Sequence, residues 1–146
     1  MTSAMGRSSV VQRTVSIQTR GRGLYDVTDE VARVVTDSGV TTGLCTIFLK
    51  HTSASLIIQE NADAAVLRDL GRWMERLAPE DAPYEHDAEG PDDMPSHLRS
   101  AVTRSSESIP VTQGKLGLGT WQAIYIWEHR RSGHHREATV HVAGLA

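Results

Sequence analysis

Residues 120–130 read TWQAIYIWEHR, and the reading of this stretch decides the fold. Side chains alternate along an extended chain with a period of two. Trp121, Ala123, Tyr125, Trp127 and His129 then share one face, and Gln122, Ile124, Ile126, Glu128 and Arg130 the other. No helical stripe fits this spacing, so the stretch is a long strand. Aromatic side chains left bare on a strand face are costly in a monomer. The strand is therefore expected to be covered, with another subunit as one candidate for the cover. RSGHHR at 131–136 supplies a hairpin turn and EATVHVAG at 137–144 a returning strand.

The same rules carry the reading upstream. Residues 10–19 alternate as a half-buried strand, RGRG at 20–23 turns the chain, and LYDV is a second short strand. Thr28 is placed to cap a helix over 29–38, with Asp29 and Glu30 in its first turn and Gly39 just past its end. GLCTIFLK at 43–50 is almost continuously apolar, which suggests a strand covered on both faces. SASLIIQE at 53–60 follows as a strand, and Asn61 is placed to cap a helix over 62–77. A third helix is expected over 96–104, capped by Ser96 or Asp93, then a strand at SIPVT and a glycine-rich turn at QGKLGLG. About seven strands and two to three helices result. That pattern is α+β, a mostly antiparallel two-sheet sandwich rather than a doubly wound sheet. One domain over 10–146 behind a flexible leader at 1–9 suits the 146-residue length.

Composition narrows the function classes. A formal net charge of −3 argues against nucleic-acid binding by phosphate neutralisation. The apolar runs are far too short to span a membrane. Cys45 is a lone cysteine, so it forms no internal disulfide and fits a reducing compartment; cytoplasm is the expected location.

Four stretches carry ionisable or polar chemistry. KHTSASL places His51 at a strand end beside Thr52, Ser53 and Ser55, suited either to a ligand or to a structural hydrogen bond. EHDAEGPDDMPSHL at 85–98 gathers five acidic residues and two histidines, His86 and His97. It is either a solvated loop or a site for Zn²⁺, Mg²⁺ or an anion. GKLGLGTWQ fails the phosphate-loop pattern, because Leu116 follows Lys115 and a strand follows the turn; a tight hairpin is expected instead. In the opening strand, Glu128 and Arg130 form either part of a site with Gln122 or a same-face ion pair of small value.

HTSASL…ENAD, YEHDAEGPDDMPSH and IPVTQGKLGLGTWQAIYIWEHR occur in that order over residues 10–144, and together they resemble the YjbQ family. The resemblance implies a two-sheet α+β sandwich, a homotrimer, and a weak, secondary thiamine-phosphate synthase activity. Its matching polar positions here are His51, Asn61, His86, Glu89, Asp92, Asp93, His97, Thr120, Gln122, Glu128 and Arg130. On that basis His51, His86 and His97 are expected to converge on a divalent metal, Zn²⁺ or Mg²⁺. Asp92 or Asp93 would orient a histidine or serve as base, with Asn61, Gln122 and Glu128 also in the catalytic set. Thr52, Ser53, Lys115, Thr120 and Arg130 would hold a small phosphorylated metabolite. Three functions stay open at this point: the synthase-like transferase, a metal-dependent hydrolase of a small metabolite, and a non-catalytic trimer that binds a small anion.

Overall fold

The structure, a computed structural model, describes residues 6–146. The element order is β1 (Ser8–Gln18), β2 (Gly23–Asp26), α1 (Thr28–Ser38), β3 (Thr42–Leu49), β4 (Ala54–Glu60) and α2 (Ala64–Leu77). There follow α3 (Asp93–Val102), β5 (Ser106–Thr112), β6 (Lys115–Leu116), β7 (Gln122–Glu128) and β8 (His135–Leu145). A five-stranded sheet runs β1-β8-β3-β5-β6 and a three-stranded sheet runs β2-β7-β4. Every strand pairing is antiparallel. The α+β two-sheet sandwich is as expected. The eighth strand is β6, which falls in the stretch read as a turn. It pairs with β5 across Gln113 and Gly114, both at positive φ (52° and 77°), the geometry of a two-residue hairpin turn.

The core lies between the sheets. Cys45, Ile47 and Leu49 of β3 and Val140 and Val142 of β8 meet Leu56 of β4 and Ile124 and Ile126 of β7. Val31, Val34 and Val35 of α1 close this core. Each fully buried Ile or Leu contributes roughly 1.5–3 kcal/mol. Burial also pushes the Cys45 thiol up to about 11, so the residue behaves as a small hydrophobe. Helices α2 and α3 pack against β4, outside the smaller sheet. Trp127 points to that layer: it lines one cavity with Leu67 and Met74 of α2 and another with Leu70 and Trp73. The long strand is thus covered by its own chain on both faces from Ala123 onward, while Trp121 remains 62% exposed.

Several boundaries differ from expectation for local reasons. Ser8 and Ser9, expected in the leader, pair with Leu145 and Gly144; residues 1–5 of that leader lie outside the described residues. The β3 strand is covered on one face only, with Leu44 and Phe48 45% and 49% exposed. Thr28 is inside α1 rather than its cap, and its Oγ1 accepts from Ile124 N, tying the helix to β7. Gly39 ends α1 in the left-handed conformation (φ 71°), as expected. Asp63, not Asn61, caps α2 by accepting from Ala65 N. Helix α3 begins at Asp93, one turn earlier than expected. Neither Asp93 nor Ser96 caps it: Ser96 Oγ donates to Asp92 O, and the buried Asp93 carboxylate is engaged by His86, His97 and Arg130.

Candidate metal centre

The start of α3 and the loop before it build the site. Asp93 and His97 are four apart on one helix, so they stand on the same face. His97 Nε2 lies 3.2 Å from Asp93 Oδ2. The loop returns His86 to the same oxygen, with Nε2 at 2.6 Å. The two rings meet edge to face with centroids 5.5 Å apart. All three donor atoms lie within 4.8 Å of one another. Ligand atoms around a tetrahedral Zn²⁺ sit about 3.3 Å apart, given bond lengths near 2.05 Å. The donor set is thus of the right kind and nearly at the right spacing for such an ion.

Arg130 anchors the carboxylates from behind. Its Nε donates to Asp92 Oδ2 (2.9 Å), its Nη1 to Asp93 Oδ1 (2.8 Å) and its Nη2 to Glu89 O (3.1 Å). Arg131 N donates to Asp92 Oδ2 at 2.9 Å. One oxygen of Asp93 is therefore held by the guanidinium, while the other faces the histidines. Burial acts to raise the pKa of both aspartates. His86, Glu89, His97 and Arg130 outweigh it at Asp93, and Arg130 with Arg131 N at Asp92, so both stay below the ordinary carboxylate range. The Asp93 hydrogen bond raises His86 above the usual imidazole value. Glu89 Oε2 stands 3.6 Å from His86 Nε2 and is solvent-exposed.

A second polar network lies behind this one, with Thr19, Glu128 and Arg136 buried at its centre. Glu128 accepts from Thr19 Oγ1 (2.7 Å), from Arg136 Nε (2.8 Å) and Nη2, and from Arg130 N (3.2 Å). Arg136 Nη2 also donates to Ser53 Oγ at 3.0 Å. Burial raises the Glu128 pKa, but Arg136, Thr19 and Arg130 N win and hold it low. Glu128 is therefore a fixed, ionised structural group. Its ion-pair partner is Arg136, not Arg130 as the same-face reading expected.

The structure divides the expected site residues among separate places. His86, His97, Asp92, Asp93 and Arg130 come together. His51 does not join them: its Nε2 accepts from Glu137 N at 2.8 Å, a structural bond at the end of β3. Its pKa is lowered by burial first and by Arg136 next. Ser53 belongs to the Glu128 network, and Thr52 is an exposed bend beside it. Asn61, Thr120 and Gln122 form a third group: Asn61 Nδ2 reaches Thr120 O and Gln122 O, and Gln122 Oε1 accepts from Gly119 N. That group is at the far end of β7, roughly 20 Å from Glu128 at 3.3 Å per residue. Lys115 lies in the β5–β6 hairpin. The expected ligand set took His51 as the third donor and gave Asp93 an orienting or base role, whereas the structure puts Asp93 beside the two histidines. Its spacing of four to His97 was the available signal, hidden because the helix was expected to start at Ser96.

The UPF0047 YjbQ-like family description matches residues 13–145. A UPF0047 protein of Synechocystis is 54% identical over 134 residues, covering 91% of each chain. The UPF0047 protein YjbQ of Salmonella typhimurium is 44% identical, covering 91% of this chain and 97% of its own. Among solved structures, a YbjQ-like protein of unknown function from Sulfolobus solfataricus superposes with a TM-score of 0.87 at 26% identity, over 94% of this chain and 99% of the other. A YjbQ/UPF0047 protein from Clostridium acetobutylicum gives 0.80 at 32% identity, over 90% and 98%. With most of its length matched, this chain belongs to the YjbQ-like UPF0047 family.

Proposed function

We propose that the protein is a metal-dependent hydrolase of a small metabolite, with His86, Asp93 and His97 holding a zinc-class divalent ion. The convergence of two imidazole nitrogens and one carboxylate oxygen within 4.8 Å carries this reading. Three protein ligands and an open fourth position are the usual composition of a catalytic zinc site, whereas Mg²⁺ prefers oxygen donors. A bound ion of this kind supplies an acidified water and a Lewis acid. The chain's own groups supply the rest. Arg130 fixes the Asp93 carboxylate so that Oδ2 faces the histidines, and Glu89 is the exposed carboxylate placed to accept a proton. A groove of about 430 Å³ lined by Tyr84, Glu85, His86 and Met94 opens beside His86 and suits a small substrate.

The thiamine-phosphate synthase reading has less support from the geometry. It needs Asp92–Asp93 to hold Mg²⁺ and lysines to neutralise diphosphate. Asp92 already accepts from Arg130 and Arg131 N, Lys50 pairs with Glu137 at 3.6 Å, and Lys115 belongs to the β5–β6 hairpin. The homotrimer that the resemblance implies is supported by the exposed Leu44 and Phe48 on the outer face of β3. Light scattering of Phe48→Glu tests it: a smaller species than the parent is expected, and an unchanged mass removes β3 from the interface.

Purified protein is expected to retain about one equivalent of zinc by elemental analysis after equilibration with excess zinc and desalting. His97→Ala loses it, and His51→Ala keeps it. Arg130→Met, which frees the carboxylates from their anchor, weakens zinc binding roughly 10- to 100-fold in a chelator competition. Zinc kept at full stoichiometry in His97→Ala overturns the assignment.

A further inference from the structure

Helix α3 carries a second buried ionic group two residues past His97, on a different face of the helix. Arg99 is 2% exposed. Its Nη2 donates to Ala78 O at 2.9 Å, and its Nε meets no acceptor among the described residues. A buried guanidinium is normally paired, because an unpaired buried charge is costly. The carboxylate best placed to serve it by charge is Glu80, but Glu80 is engaged by Arg22 (2.6 Å) and by Arg131. The only other buried side-chain atom without a partner among the described residues is His129 Nδ1. His129 lies close by: its carbonyl oxygen accepts from Arg22 Nε at 3.3 Å.

Arg22 and Arg99 border a cavity of about 350 Å³ between α2 and the smaller sheet. Arg22 and Arg99 supply its charge, and Leu24, Leu67, Met74 and Trp127 its apolar wall. Such a volume suits a small organic molecule. Arg22 is already paired with Glu80, so Arg99 is the group left to select an anion, and Arg offers a planar fork that matches a carboxylate. The indole and aliphatic wall selects an apolar body. Glu75 on the lining and Glu80 nearby oppose a second negative charge.

We propose that this cavity is a binding site for a small monocarboxylate with an apolar or aromatic body, its carboxylate on Arg99 and its body against Trp127. The site is separate from the metal centre and uses none of its ligands. It therefore stands or falls independently of the hydrolase reading.

Benzoate is the probe, titrated into chelator-treated full-length protein by calorimetry and followed by tryptophan fluorescence. Benzamide and inorganic phosphate are the comparison ligands. Saturable benzoate binding is expected, at least tenfold tighter than either comparison ligand. Arg99→Met is expected to weaken it at least tenfold, while a melting curve shows that the variant is folded. Should Arg99→Met fail to fold, Leu67→Trp fills the same cavity and is expected to abolish benzoate binding. Benzoate that binds equally to the parent and to the folded variant overturns the proposal. So does the absence of saturable binding to the parent, or phosphate binding as tightly as benzoate.

Discussion

Arg136→Met is expected to destabilise the protein by about 3–5 kcal/mol, the usual consequence of removing one partner from a buried ion pair. Glu128 and Arg136 are both essentially excluded from water. Without the guanidinium, Glu128 keeps the Thr19 hydroxyl and the Arg130 amide but no compensating charge. It must then be protonated or draw water into the core. At 2–4 °C per kcal/mol for a chain of this size, the melting temperature falls by roughly 6–20 °C. Glu128→Leu in the same background is expected to recover at least half of the loss, since apolar replacement of both partners is often neutral. Denaturant unfolding of the two single variants and the double variant measures this. A loss below about 1 kcal/mol in Arg136→Met would mean that the pair behaves like a surface contact, against its burial.

The second large effect concerns acid. His129 is buried at the end of β7, where burial first, and Arg99 next, push its pKa down to about 3; Glu128 opposes them. Its Nε2 is 2.8 Å from Ser55 Oγ. In the unfolded chain the same imidazole titrates near 6.5. The unfolded state therefore binds a proton that the folded state refuses between these two values. Stability from this residue is complete above about pH 6.5 and is lost as the pH falls toward 3. Between pH 7 and pH 4.5 the linked loss is about 2–3 kcal/mol. His129→Gln, which can still hydrogen-bond Ser55, is expected to lose about that much less over the same range. Other groups titrate in this window too, so the difference between parent and variant is the quantity to read. Parallel stability–pH curves for the two proteins would show that His129 is protonated inside the fold.

What the sequence made legible follows its periodicity. The alternation in TWQAIYIWEHR, the valine stripe of α1 and Gly39 each gave the correct element, because local geometry and burial agree there. Helix starts were misplaced where a polar side chain had a distant use. Thr28 and Asn61 looked like caps, but their side chains serve β7 and the turn before it. Those partners are about 60 to nearly 100 residues away in the chain, beyond any local pattern. His86 and His97 were legible as a pair in one acidic loop. Their third partner was not, since His51 and Asp93 both lay on plausible stretches and only the packing of α3 chooses between them. Arg99 gave no signal at all: an arginine on a short amphipathic helix reads as solvent-facing until the tertiary structure buries it.

One carboxylate deserves a different kind of care in future mutagenesis. Glu128 holds the Arg130 amide through one oxygen and the core guanidinium through both, and Arg130 in turn sets the posture of Asp92 and Asp93. An alanine scan judged only by turnover would rank Glu128 beside His86, Asp93 and His97, although its carboxylate meets only Thr19, Arg136 and the Arg130 amide. Turnover and folding free energy, measured on the same variant, separate the two roles, because loss of Glu128 is expected to lower both.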